Sequence, residues 1–243
     1  MQGWIYVPGA ADVVVVCTNS FTKDVYDKLV FVMEKGMNVI TSAEEMAYPQ
    51  AQEPELAKKL DECAKKNGVS VMGTGINPGL IMDLLVILWT AACEEVNHIT
   101  SRRVNSLSPF GPAVMEEQGI GISVDEFNAR KADGTMAGHV GFAESVGMMC
   151  EALGWKLDEF GQDMEPIVTD VDRKSPYGFA PAGSVAGVAM KGWGIVDGER
   201  KLDMDHPQQI EPEQVGIDTG DYVILDAVPP VNMANSPEIE GGI

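Results

Sequence analysis

The chain runs to 243 residues, with 37 acidic and 17 basic side chains, a formal charge of −20, and 45% hydrophobic residues. That length is enough for one large domain or two small ones, each with a true core. The acid excess repels phosphate backbones and acidic headgroups, which excludes nucleic acid and membrane surfaces as partners and reads as a solvated acidic surface.

Val13–Cys17 is a short β-branched apolar run, the pattern of a parallel strand buried on both faces. Thr22–Lys35 has helical spacing through Val25, Leu29, Val32 and Met33 and stops at Gly36. Asn38–Thr41 reads as a second strand, Glu53–Asn67 as an amphipathic helix closed by Gly68, and Val69–Met72 as a third strand. The glycine-rich turn Gly73–Gly79 follows, and then the apolar segment Leu80–Cys93. Asp83 interrupts that segment and it is shorter than the ~20 residues of a membrane span, so it reads as a buried helix. Three strands with two crossover helices imply a doubly wound parallel sheet. After Glu95 the pattern changes. Ser123-Val124-Asp125-Glu126 is a capping box, Phe142–Leu153 a second helix ended by Gly154, and the pieces from Trp155 onward are strand-like, with a hairpin signal at Asp197-Gly198. The expected division is 1–95, an α/β unit, and 96–243, an α+β unit with a mostly antiparallel sheet.

Cys17, Cys63, Cys93 and Cys150 stand far apart, without a CxxC pair or a histidine at ligand spacing, and read as reduced, mostly buried thiols of a cytoplasmic protein. His98, His139 and His206 are equally scattered, so no metal site is expected. The start lacks a basic region followed by an apolar stretch, so no signal peptide is expected.

In an open parallel sheet, ligands bind at the carboxyl ends of the strands. After the first strand comes Thr18-Asn19-Ser20, small polar residues able to cap the next helix or to approach a phosphate or ribose. After the second comes Ser42-Ala43-Glu44-Glu45-Met46, where adjacent carboxylates either meet an ammonium group or form a solvated acidic turn. After the third comes Gly73-Thr74-Gly75-Ile76-Asn77-Pro78-Gly79, where glycines admit a flat ring and Asn77 offers a donor and an acceptor to a carboxamide. No G-x-G-x-x-G fingerprint accompanies these turns, so the strands fit the second half of a dinucleotide fold.

The segments Ala11–Phe21, Ala43–Pro49, Gly73–Gly79, Ser106–Pro112 and Gly138–Phe142, with His206–Gln209 and Gly220–Tyr222, resemble the 2,4-diaminopentanoate dehydrogenase family. That family belongs to the dihydrodipicolinate-reductase-like group. The resemblance implies the second half of a Rossmann-type parallel sheet followed by an α+β domain for substrate binding and dimerisation. It also implies NAD(P)-linked oxidative deamination of 2,4-diaminopentanoate at C4, giving 2-amino-4-oxopentanoate and ammonia, in anaerobic ornithine breakdown. The Gly-Thr-Gly-x-x-Pro-Gly turn is similar to one in diaminopimelate dehydrogenase. The chain departs from the family at both ends, lacking the glycine-rich loop and stopping at Glu240–Ile243, and so reads as a fragment.

Within that resemblance Glu44 is the expected base or ammonium partner, supported by Glu45, and His139 a proton shuttle or hydrogen-bond donor. Thr18, Asn19, Ser20, Ala43, Asn77, Pro78 and Gly79 are expected to face NAD or NADP. Arg103, rather than its neighbour Arg102, is expected to hold the substrate carboxylate, with Ser108 and Phe110 lining the pocket. A small-molecule diamino acid is the expected partner and a homodimer the expected assembly. A related oxidoreductase acting on another amino acid or a carbonyl stands as an alternative, and so does a non-catalytic oligomeric module.

Overall fold

Elements follow one another as the apolar periodicities require. The first run is β1 (Val13–Val16), α1 (Thr22–Glu34), β2 (Asn38–Thr41), α2 (Pro54–Asn67), β3 (Val71–Gly73) and α3 (Leu84–Thr90), with a 3-10 turn at Glu44–Ala47 between β2 and α2. The middle run is β4 (Glu95–Ser106), α4 (Pro112–Glu117), α5 (Val124–Asp133) and α6 (Phe142–Leu153). The last is β5 (Leu157–Val168), β6 (Arg173–Lys174), β7 (Phe179–Ala180), β8 (Val185–Val196), β9 (Glu199–Gln209), β10 (Gly220–Val228) and β11 (Val231–Asn235). The computed structural model describes residues 7–136 and 138–239. Among these, residues 7–88 and 140–157 form one unit, and residues 89–136, 138–139 and 158–239 a second. The expected single cut near Glu95 therefore becomes several crossings, because α6 buries Phe142, Val146, Met149 and Cys150 and returns to the first unit.

The first unit holds a parallel sheet in the order β1-β2-β3, with Val13 opposite Asn38 and Val39 opposite Val71. Right-handed crossovers running in one direction place α1 and α2 on the same face of such a sheet. The two helices pack together, and Val16, Val25, Leu29, Met33, Val39, Leu60 and Ala64 form the core. β1 is an edge strand covered on one face only, so Val13 and Val15 are 45% and 63% exposed and the expected burial on both faces is not met. Cys17, just beyond that strand, is exposed for the same reason; of the four free thiols only Cys150 is buried. α3 is shorter than the apolar segment suggests, since its first residues are turns anchored by the buried carboxylate of Asp83.

The second unit is built on a six-stranded sheet in the order β11-β10-β4-β9-β8-β5. The pairs β10–β11, β4–β10 and β8–β9 are antiparallel, while β4 and β9 run parallel with Ile99 opposite Leu202. The β8–β9 hairpin turns at Asp197 and Gly198, both left-handed at φ 54° and 75°, as the Asp-Gly pair requires. Ser123 caps α5 by accepting from the Glu126 N–H at 3.1 Å. None of the described helices is long and apolar enough to cross a membrane.

Candidate active site

The groups with chemical potential fall into two sets, one in each unit. In the first unit, α1 starts without a side-chain cap from Thr18, Asn19 or Ser20. Thr18 instead accepts from Lys28 at 2.8 Å, and Asn19 accepts from the Ser20 N–H at 2.8 Å. The cap comes from the neighbouring turn. Glu45 is 8% exposed, and its Oε2 accepts from the Thr22 N–H at 2.7 Å. A negative charge there also meets the positive end of the helix. Ala43, also buried, donates its N–H to the Thr41 hydroxyl at 3.1 Å. Of the two adjacent acids, Glu45 is thus committed to the helix start. Glu44 accepts from the Ser20 hydroxyl, yet burial pushes its carboxyl above the ordinary range.

At the end of β3 both ends of the Asn77 amide are buried and meet no hydrogen-bond partner among the described residues. An unmet donor and acceptor side by side match the edge of a carboxamide. The turn behind Asn77 is braced. The Gly79 N–H donates to Asp83 Oδ2 at 2.7 Å, the Leu84 N–H to Asp83 Oδ1 at 2.6 Å, and the Ser145 hydroxyl on α6 to Asp83 Oδ2 at 2.9 Å. Burial nonetheless raises the Asp83 carboxyl, against the pull of those donors. Gly141, at φ 126°, lies where a Cβ would come within 2.6 Å of the Pro78 ring, so only glycine lets α6 begin there.

Glu144, beside Ser145, went unrecognised in the sequence, and so did its partner Gln52. Glu144 is wholly buried and its Oε1 accepts from Gln52 Nε2 at 2.7 Å. Burial, reinforced by the nearby charges of Glu45 and Glu44, moves its carboxyl up to about 7.

In the second unit, Arg103 is 3% exposed and donates to Asp221 Oδ1 at 3.1 Å and to the Ile239 carbonyl at 2.9 Å. Its guanidinium is therefore engaged inside the fold. Arg102 points to the surface, paired with Asp205 at 3.0 Å. Arg103's own carbonyl accepts from His206 Nδ1 at 3.0 Å, and burial holds His206 down at about 4. His139 meets His206 edge-on, with ring centroids 5.2 Å apart. Burial, with the charges of His206 and Arg103, keeps it well below the usual histidine range. A neutral imidazole of this kind donates or accepts a hydrogen bond but resists taking a proton. Ser108 accepts from the Glu211 N–H at 2.8 Å, and Phe110 packs against the cluster of Leu107, Met115, Ala180, Ala186 and Ile210. Among the described residues no group of three His, Cys, Asp or Glu is placed to hold a metal ion.

Residues 80–243 match the family model of the 2,4-diaminopentanoate dehydrogenase C-terminal domain. The chain is 72% identical over 235 residues to a 2,4-diaminopentanoate dehydrogenase from Acetoanaerobium sticklandii, an alignment covering 96% of this chain and 67% of that protein. Its fold is similar to an amine dehydrogenase from Mycobacterium smegmatis, with a TM-score of 0.76 at 21% identity, covering 92% of this chain and 66% of the other. A biliverdin reductase from Synechocystis, solved with biliverdin and NADP+, is similar at a TM-score of 0.54 and 11% identity, over 100% of this chain and 68% of the other. The chain spans about two thirds of the length of these relatives. The two halves of the sequence pattern, the parallel-sheet turns and the domain that follows them, thus meet in one assignment: this chain belongs to the 2,4-diaminopentanoate dehydrogenase family.

Proposed function

We propose that the chain supplies the nicotinamide-facing and substrate-facing residues of an NAD(P)-linked dehydrogenase that oxidatively deaminates 2,4-diaminopentanoate to 2-amino-4-oxopentanoate and ammonia. One observation carries this reading. The carboxyl ends of the paired strands β2 and β3 present a half-buried carboxyl of raised pKa and a buried amide with both ends unmet. Those are the groups that amine oxidation beside a carboxamide-bearing ring calls for. The residues fit the cofactor's nicotinamide end: Asn77, with both ends of its amide unmet, would hold the carboxamide, and the Pro78–Gly79 turn, braced by Asp83, would leave room for a flat ring. When bound, NAD(P) accepts the hydride leaving the carbon that carries the amine.

The chain's own groups handle protons and position. Hydride loss requires a neutral amine, so the ammonium must first give up a proton; Glu44 is the acceptor, and burial makes it a stronger base than a solvated carboxylate. Glu44 passes that first proton to solvent. Water then adds to the iminium carbon that hydride loss leaves, and Glu44 takes a proton from the adding water and hands it to the nitrogen. The nitrogen leaves as ammonia as the remaining hydroxyl loses its proton and the carbonyl forms. Glu45 fixes the turn that presents Glu44, through its bond to the start of α1. Because Arg103 is already paired with Asp221, the substrate carboxylate is assigned no partner in this reading. A cytoplasmic setting is proposed, supported by the four free thiols, which a reducing compartment maintains, and a homodimer is the assembly proposed with it.

The test is Glu44→Gln, at the full length of the Acetoanaerobium relative. Turnover should fall ~10²–10⁴-fold while NAD(P)H affinity, read by fluorescence titration, stays near normal. Near-normal turnover in the variant would remove Glu44 from the chemistry.

A further inference from the structure

The first turn of α6 carries a buried acid for which the reaction as described has no use. Glu144 Oε1 is held by Gln52, while its Oε2 reaches neither solvent nor any hydrogen-bond partner among the described residues. α6 packs against the Glu44–Ala47 turn, and the charges acting on Glu144 are those of Glu45 and Glu44. The other ionisable groups along this contact are occupied. Asp83 receives Gly79, Leu84 and Ser145, and Tyr48 donates to Glu151 farther along the helix, beside the buried thiol of Cys150. No ion pair among the described residues involves Glu44, Glu45 or Glu144. A sealed carboxyl with one bare oxygen near two like charges favours the neutral acid.

We propose that Glu144 is a positioning residue for the reaction: anchored by Gln52 through one oxygen and kept a neutral acid by its burial, it leaves Glu44 the ionised member of the group and ready to receive the amine's proton. This rests on the reading of Glu44 as the base. With Glu144 neutral, Glu44 feels no like charge from it. Once Glu144 ionises, the repulsion between the two is mutual and Glu44 holds its own proton more tightly. Like-charged carboxyls that cannot all ionise together divide their protons in this way. The direction of the Glu144 shift agrees, since its carboxyl stays protonated until about neutral pH.

Two measurements test the proposal. Infrared difference spectra of the chain, from mildly acidic to mildly alkaline pH, should show a buried carboxylic-acid band that disappears through neutrality and is missing from Glu144→Gln. At the relative's full length, Glu144→Gln keeps a neutral isostere, so turnover on the acid side of neutrality should stay within about twofold of wild type. Its pH profile should lose the inflection that wild type shows near neutrality. Glu144→Asp retains the acid and should move band and inflection together, a readout that survives if the glutamine variant folds poorly. An absent band, or an inflection unchanged in both variants, overturns the proposal. Normal turnover in Glu44→Gln with the band intact overturns the base assignment instead, so the two failures are distinct.

Discussion

Glu144→Gln should flatten the pH dependence of the chain's stability. An unfolded glutamate titrates near 4.5, whereas the native carboxyl is moved up to about 7. Between those values the folded state retains a proton that the unfolded state has released, so stability falls as pH rises and levels off above the native pKa. At 1.36 kcal/mol per unit the full effect is about 3.4 kcal/mol, of which about 2.5 kcal/mol is lost between about pH 5 and about pH 8. The glutamine amide adds a buried NH2 where Oε2 has no partner, which costs ~1–3 kcal/mol at every pH. The informative quantity is therefore the change with pH, not the absolute difference. Urea unfolding followed by circular dichroism at the two pH values should show the variant gaining about 2.5 kcal/mol on wild type from acid to alkaline. Glu44 and Asp83, also raised by burial, are common to both proteins and cancel to first order. A variant-to-wild-type difference that stays constant with pH would refute the reasoning, because Glu144 would then be ionised in the fold throughout.

Three further outcomes follow from local geometry. Glu45→Gln should lower the melting temperature, since weakening the cap on α1 costs ~0.5–2 kcal/mol, while reducing turnover far less than Glu44→Gln; the reverse ranking would exchange the two roles. Gly141→Ala forces a Cβ into the Pro78 ring at φ 126° and should destabilise the first unit by ~1–3 kcal/mol and weaken cofactor affinity; unchanged melting and binding would mean the loop yields without consequence. Arg103→Ala strands Asp221 and should cost ~3–5 kcal/mol in thermal or urea unfolding, whereas an unchanged melt with a raised KM alone would restore Arg103 as the ligand of the substrate carboxylate.

The elements legible in the sequence were those whose signals are local. α1 and α2 announce themselves by apolar spacing, α5 by its capping box, α6 by the glycine at its end and the β8–β9 hairpin by Asp-Gly. β4 was harder to read, because Arg103, Val104 and Asn105 are buried in succession and break the alternation that marks a strand. What lets Arg103 be buried is Asp221, supplied by β10 from far down the chain, and no local pattern reports a partner at that separation. The same blindness produced the expectation that Arg103 awaits a ligand. An arginine in a strand looks unpaired until the strand beside it is known.

The candidate site was legible to the extent that strand ends are, and illegible where α6 packs against it. Glu44 and Asn77 stand out because they follow strands directly. Glu144 does not, because an acid in the first turn of a helix already has a local explanation in the helix dipole. It also lies off the stripe formed by Phe142, Val146, Met149 and Cys150 that makes α6 look amphipathic. One signal did exist. Gly147 stands inside the helix, where glycine is unfavourable, and a Cβ there would come within 2.9 Å of the Tyr48 ring. Glu144, Gly147 and Glu151 recur at helical spacing on that second face, where Gln52 bonds the first, Tyr48 packs on the second, and the Tyr48 hydroxyl donates to the third. With both faces of its first turns packed, α6 leaves Glu144 no solvated side, whereas Glu151 near its end stays exposed. The interior glycine therefore marks a second packed face, and burial near Glu44 and Glu45 converts an ordinary helix-start acid into one that holds its proton up to about neutral pH.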